Sequence, residues 1–357
     1  MNDAFTPGLL SRLPAVPRKV VLLRASRIGD FLCATPAFKA LREALPEAEI
    51  TMITLPMLQD LVLRSPYFNR FVAFPGFPGV AEQLFDAHRT TEFLREMQAE
   101  QFDLAIQMQG SGVNSNPFML LIGAKATAGF VRPGNPPGLL DAALPYPQLH
   151  EVRTVLALTS FLGIPAQGEE IEFPLWAEDY NEAQSLLAGA EPPLIGLHPA
   201  ARDATRRWSL DRFATVGRQL RQQHGGTVIL IGEQEEQATG ERIAQNVGEP
   251  CRNLIGKTSL TTLGAVIAKL AVFVTNDTGP AHMAYALKTP TVTVFGSGNP
   301  ATNGPIHDGP FRVLAHEVPC RPCGYATCPI GYVCLEGVTT QQVIAEAENS
   351  MRIRNSN

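Results

Sequence analysis

Two hydrophobic rhythms alternate along the chain, and the alternation recurs in both halves. Residues 19–24 (K-V-V-L-L-R) are a short apolar run with β-branched members, which predicts a buried strand. A loop over residues 25–29 follows, and then Phe31, Ala34, Phe38, Leu41 and Leu45 recur at helical spacing. Asp30 stands at the start of that helix, in the position of an N-cap. Further strands are predicted over residues 50–54, 104–108 and 126–130, and helices over 88–100 and 151–162. A second series begins near residue 193. Its strands are predicted over 194–197, 227–231, 271–275 and 291–295. Its helices are an amphipathic one carrying Leu210, Phe213, Val216 and Leu220, a polar one over 233–246, and others over 260–270 and 280–287. This β-α-β rhythm favours α/β architecture, with parallel sheets covered on both faces.

Length and punctuation divide the chain in two. Its 357 residues exceed one ordinary core, since domains run to roughly 100–200 residues. Residues 74–80 and 132–147 are too dense in Pro and Gly for helix or central strand and read as binding or surface loops. Residues 169–193 hold the linker, near Pro174 or Pro192. Ligands of parallel sheets bind outside the carboxyl ends of the strands, so two such domains facing a cleft suit a two-substrate reaction.

Composition narrows the function. Hydrophobic residues are 45% and charged residues 18%, which is globular. A formal net charge of −5 argues against a nucleic-acid partner. No apolar run of about 18 residues predicts a membrane span. Residues 1–17 lack the pattern of a signal peptide, which points to a cytoplasmic protein with reduced cysteines. The fingerprints G-x-G-x-x-G after the first strand, G-x-x-x-x-G-K-[ST] and G-x-S-x-G are absent, against a dehydrogenase, a P-loop ATPase and an α/β-hydrolase.

Four segments carry candidate chemistry. R-A-S-R-I-G-D ends at Asp30, which could act as a general base or simply cap its helix. N-D-T-G-P-A-H places Asp277, Thr278, Gly279 and His282 at a strand-to-helix junction, where free N–H groups and the helix dipole suit phosphate. H-P-A-A-R-D-A-T-R-R-W, after another strand, carries Arg202, Arg206 and Arg207 as phosphate partners or as a solvated loop, with Trp208 anchoring the next helix. Cys320, Cys323, Cys328 and Cys334 are spaced C-x2-C-x4-C-x5-C. Zinc, an iron–sulfur cluster, disulfides and small residues near a tight loop all remain open, with metal the less favoured.

In this order, V-L-L-R-A-S-R-I-G-D-F-L-C-A-T-P-A-F, L-I-G-L-H-P-A-A…R-R-W-S-L-D-R-F and V-T-N-D-T-G-P-A-H-M-A-Y-A-L-K resemble the ADP-heptose–lipopolysaccharide heptosyltransferases of glycosyltransferase family 9, over residues 19–342. The resemblance implies a GT-B fold: an acceptor-binding Rossmann-like domain (residues 1–175), a nucleotide-sugar domain (176–340), and a C-terminal helix (341–357) packing back on the first. It implies an inverting transfer with no cofactor and no catalytic metal. Asp30 matches the general base. Asp277, Thr278, Gly279 and His282 match the donor motif, Arg206 falls where the family commonly has a phosphate-binding Lys, and Glu235 or Glu236 fills the place of a ribose-binding glutamate. Ser26, Arg27 and Gly29 match acceptor contacts, with Arg27 where a second Ser is usual. The implied partners are a nucleotide-sugar and a glycan or glycolipid acceptor; a lipid-linked acceptor would bring the protein transiently to the inner face of the membrane. A nucleotide-sugar epimerase on the same fold and a non-catalytic sugar-nucleotide binder are the competing readings.

Overall fold

Val20 to Leu23 have no exposed surface, as a strand in the middle of a covered sheet requires. The structure, a computed structural model, describes residues 4–80 and 82–356, with the side chains of 353–356 set aside. Among the described residues twelve strands form two parallel sheets. The first holds β1 (Lys19–Leu23), β2 (Glu49–Thr54), β3 (Arg70–Ala73), β4 (Leu104–Gln107), β5 (Ala126–Val131) and β6 (Ala142–Pro145) in the order β3-β2-β1-β4-β5-β6. The second holds β7 (Leu194–His198), β8 (Thr227–Leu230), β9 (Cys251–Asn253), β10 (Val272–Asn276), β11 (Thr291–Val294) and β12 (Phe311–Leu314) in the order β12-β11-β10-β7-β8-β9. Counted within its own unit, each sheet therefore has the strand order 3-2-1-4-5-6 of a Rossmann sheet.

The chain divides between Ile171 and Glu172, four residues before the expected boundary. The segment expected to be linker is mostly part of the second unit: Ala177–Leu186 is helical, and Asp179 takes the Trp176 N–H at 2.7 Å at its start. The predicted helix from Phe31 to Leu45 is two helices, Ile28–Cys33 and Thr35–Ala44, with Pro36 early in the second.

The core of the second unit accounts for two more features. Trp208 is 1% exposed, stacks edge-on to Phe213 at 5.2 Å and donates from Nε1 to the Val338 carbonyl at 3.0 Å. It is thus the anchor expected of it, tying the start of the Leu210–His224 helix to the chain that leads into the Thr340–Ser356 helix. That last helix buries Val343, Ile344 and Ala347 among Trp208, Val272, Val274, Val292 and Val294. The resemblance implies that it packs on the first unit; its apolar face forms part of the core of the second, and residue 357 lies outside the described residues. Removing a buried indole leaves a cavity and takes one of two donors from the Val338 carbonyl, which keeps Arg212 Nη1 at 2.8 Å, so Trp208→Ala is expected to cost about 3–5 kcal/mol, mostly from the cavity. Urea unfolding measures it; a loss below about 1 kcal/mol would contradict this account of the core.

Candidate active site

In a 3-2-1-4-5-6 sheet the chain leaves the first strand toward one side and the fourth toward the other, which opens a crevice at their carboxyl ends. In the second unit those strands are β7 and β10, paired in register from Ile195↔Val272 to His198↔Thr275. The arginine-bearing segment leaves β7, and the Asp277–His282 segment leaves β10. The two motifs, about 70 residues apart in sequence, are therefore brought together.

Their junction is built from side chains. Asn276 donates to the Pro199 and Ala200 carbonyls at 2.9 and 3.2 Å and accepts the Trp208 N–H at 3.0 Å, clamping the β7 loop to the end of β10. Arg207 ties the loop to itself through the Ala201 carbonyl at 2.7 and 3.2 Å. Arg202 lies beside Asp203 at 3.8 Å. Arg206 reaches across to Asp277, Nη1 to Oδ2 at 3.2 Å. The Asp277 side chain is 3% exposed and that of Arg206 39%. The carboxylate is thus paired in a dry position, while the guanidinium keeps further donors for a ligand. A Cβ at Gly298 would overlap Asp277 Oδ2, so the loop after β11 approaches this pair closely and leaves no room for a side chain.

Thr278 is the N-cap residue of the Gly279–Ala286 helix, and Pro280 lies in its first turn. Pro280 has no N–H and Ala281 N–H turns to Thr278 O at 3.0 Å, so the helix start offers an anion the Gly279 end and the positive end of the helix dipole. His282 lies one turn in, 5% exposed, with its ring 5.8 Å from Tyr285. His198 was not singled out from sequence. Its Nδ1 stands 3.1 Å from Thr275 Oγ1 and 3.3 Å from Thr278 Oγ1, so it holds the capping threonine in place. Burial pushes the His198 imidazole down to about 4. The unfolded chain takes up a proton below pH ~6.5 and the folded chain does not. Folding stability is therefore lost as pH falls from about 6.5 toward 4, by about 2 kcal/mol at pH 5. His198→Gln is expected to remove that part of the loss; urea midpoints of the two proteins at pH 7 and pH 5 check it.

The candidate ribose glutamates follow β8. Glu233 precedes a 3-10 turn, Gln234–Glu236, and Glu236 Oε2 accepts the Glu233 N–H at 2.9 Å. Glu236 is half-buried, and burial, with the charges of Glu233 and Glu235, raises its pKa against the pull of that hydrogen bond. Glu235 is exposed.

The cysteine segment docks on the same region. Cys323 N–H donates to the Ser297 carbonyl at 3.1 Å, Arg321 Nε to the Gly296 carbonyl at 2.9 Å, and Thr205 Oγ1 to the Tyr325 carbonyl at 2.7 Å. Cys320, Cys323, Cys328 and Cys334 are free thiols. Among the described residues no three His, Cys, Asp or Glu groups stand where they could hold a metal ion. The segment is seen as a tight loop carrying four separate thiols, Cys328 Sγ accepting the Tyr332 N–H at 3.2 Å.

In the first unit the corresponding strands are β1 and β4. The Ile28–Cys33 helix starts directly after the β1 loop, and its cap position is Arg27, with no side-chain cap bond. Asp30 lies inside the first turn and does not cap, which corrects the N-cap expectation. Gly29 also lies in that turn and is buried, so the expected loop ends two residues early. Asp30 is half-buried. Of the candidate acceptor contacts, Ser26 is 4% exposed with a buried Oγ that has no hydrogen-bond partner, and Arg27 is exposed and pairs with Glu82 at 2.9 Å.

Arg24, read from sequence only as the end of a strand, is buried. Its Nη2 meets Glu151 Oε1 at 2.6 Å, and Tyr146 Oη donates to Glu151 Oε2 at 3.1 Å. Burial alone would raise the Glu151 carboxyl, but the charge and hydrogen bond of Arg24, with the Tyr146 hydroxyl, hold it below the usual range. Burial and the Glu151 charge push the Tyr146 phenol up.

Two Rossmann-like units, each opening a crevice at the carboxyl ends of its first and fourth strands, define an α/β fold of GT-B type. The family model described as glycosyltransferase family 9 (heptosyltransferase) matches residues 90–333, and the chain belongs to that family. It is 23% identical over 339 residues to lipooligosaccharide heptosyltransferase 2 of Campylobacter jejuni, covering 94% of this chain and 98% of the relative. It is 27% identical over 305 residues to lipopolysaccharide heptosyltransferase 2 of Escherichia coli K12, covering 81% and 85%. The fold is that of the solved E. coli ADP-heptose lps heptosyltransferase II, with a TM-score of 0.77 and 21% identity over 94% of this chain and 99% of that one. The chain is therefore a glycosyltransferase. Among its described residues no helix is long and apolar enough to cross a membrane.

Proposed function

We propose that the protein transfers a heptose from ADP-heptose to a hydroxyl of a lipopolysaccharide core or related glycan, with inversion and without a metal. The observation that carries this reading is the cradle at β7 and β10, where Arg206, Thr278 and the Gly279 start of a helix, with the positive end of its dipole, meet. That set of donors suits a diphosphate that gains charge as it leaves. The names of the relatives, lipooligosaccharide and lipopolysaccharide heptosyltransferases, favour heptose and a lipopolysaccharide acceptor. Asp30 takes the proton of the acceptor hydroxyl; the oxygen attacks the anomeric carbon; the bond to the diphosphate breaks and ADP departs with the electron pair. Arg206 offsets both the buried Asp277 and the leaving diphosphate. Glu235 or Glu236 receives the ribose hydroxyls, as an acidic residue after the second strand does in dinucleotide sheets. A cytoplasmic enzyme that meets a lipid-linked acceptor at the inner face of the membrane fits this chemistry.

The test is nucleotide release from a panel of nucleotide-sugars, ADP-heptose first, with and without a lipid A-core acceptor. Acceptor-dependent ADP release supports the proposal. Preference for another nucleotide-sugar would replace the donor. Binding without release would favour a sugar-nucleotide binder, and conversion of the donor without acceptor an epimerase.

A further inference from the structure

The Arg24 guanidinium is about as buried as a leucine of the core, at 2% exposure. A cation is kept in such a place only when its charge is paired and its N–H groups are used. Glu151 supplies the charge at 2.6 Å. Nη1 donates to the Met108 carbonyl, just past the end of β4. Nε and Nη2 both donate to the Asp30 carbonyl, at 3.3 and 2.9 Å. In an uninterrupted α-helix that carbonyl would accept the Ala34 N–H, but Ala34 N–H turns to Phe31 O at 3.1 Å. The Asp30 carbonyl is thereby left to Arg24. The main chain of Arg24 is fixed from the β2 side, its carbonyl accepting Thr54 Oγ1 at 2.7 Å and its N–H donating to Ile53 O at 3.1 Å.

We infer that Arg24 is a positioning residue for transfer: by gripping the Asp30 carbonyl it sets the turn that aims the Asp30 carboxylate, with Glu151 and Tyr146 holding the guanidinium in place. The inference rests on Asp30 as the base. It also makes Arg24 the near positive charge for that carboxylate. The other ionisable groups on the surrounding elements are Arg27 on the same loop; Lys39, Glu43 and Arg42 on the Thr35–Ala44 helix, Arg42 turned to the Tyr67 carbonyl; Arg153, paired with Glu169; and Tyr146, His150 and Glu151. Glu151 bonds to Arg24, and Arg24 bonds to the Asp30 main-chain carbonyl while its charge attracts the Asp30 carboxylate through space. A nearby cation favours the unprotonated carboxylate, so its removal raises the pH at which the base is lost.

Arg24→Lys keeps the charge and loses the two-pronged grip. It is expected to lower kcat about tenfold to a hundredfold, a displaced base being that costly, with KM for ADP-heptose and the acid limb of kcat/KM unchanged. Arg24→Gln paired with Glu151→Gln removes both charges without stranding either. It is expected to lower kcat similarly and to move the acid limb to higher pH. A residue that only supported the fold would lower the melting temperature and leave that limb in place. Wild-type kcat in Arg24→Lys overturns the inference, as does an unmoved acid limb in the folded double variant. Should the double variant not fold, Arg24→Lys alone decides. Asp30→Asn run beside them separates the two claims. If it stays active, the base assignment itself fails; if it is inactive while the Arg24 variants behave as wild type, only the positioning role falls.

Discussion

Replacing Asp30 with Asn is expected to reduce transfer about 10²–10⁴-fold while ADP-heptose binding stays within about twofold of wild type. The magnitude is that of a positioned general base. The amide has nearly the shape of the carboxylate and cannot take up the hydroxyl proton at neutral pH. Asp30 lies in the first turn of a six-residue helix, half-buried, with its carbonyl held by the buried Arg24. Asn keeps the size of Asp and the carbonyl that Arg24 holds, so the substitution is expected to fold. In the proposed assignment donor binding is carried by residues of the second unit and is expected to be insensitive. Steady-state kinetics with isothermal titration of ADP-heptose separates the two quantities. A variant that lost binding as well as turnover would point to a structural role for Asp30.

Arg206→Ala is expected to cost about 10²–10³-fold in kcat/KM, with much of the loss in kcat. In the proposed reaction the guanidinium faces two demands. It pairs with Asp277, whose side chain is 3% exposed, and it offers donors to the diphosphate. Charge on the leaving group grows toward the transition state, so a fixed cation there contributes more to the transition state than to the bound donor. Removing it also takes a positive neighbour from the Asp277 carboxylate beside an incoming diphosphate, which adds repulsion. Arg206→Lys should recover part of the loss, because the ammonium restores the charge without the planar fork. A change in KM alone would assign Arg206 to uniform binding and remove it from the proposed chemistry.

The strands legible in the sequence were those that the sheets cover most fully. β1, β4, β7, β10 and β11 are apolar runs because both faces and both edges are buried. β3, β9 and β12 were missed. They are outer strands, only half-buried along most of their length, so no continuous apolar run was required of Arg70–Ala73, Cys251–Asn253 or Phe311–Leu314. β6 lay hidden in the Pro- and Gly-rich stretch, which an edge strand tolerates and a central one does not.

The candidate site divides in the same way. Asp277, Thr278 and Gly279 stood out because a polar motif directly follows an apolar strand. Asp30 stood out too, but its register did not: the extended backbone of Arg27, at φ −74° and ψ 172°, starts the helix before Asp30 is reached. Arg24 gave no local signal at all. A charged residue closing an apolar strand reads as a strand end reaching water, and the partner that permits its burial, Glu151, is 127 residues away. His198 was hidden for a related reason, since its partners Thr275 and Thr278 become neighbours only once β7 and β10 pair.

The most direct test of the account is the anomeric configuration of the product, followed by NMR as the protein consumes ADP-heptose with a lipid A-core acceptor present. The account predicts a new glycosidic bond to the acceptor, of configuration opposite to the donor's, formed together with ADP. Retention of configuration would contradict single displacement by an Asp30-activated hydroxyl. Donor converted to another nucleotide-sugar, with the acceptor untouched, would contradict glycosyl transfer by the proposed route altogether.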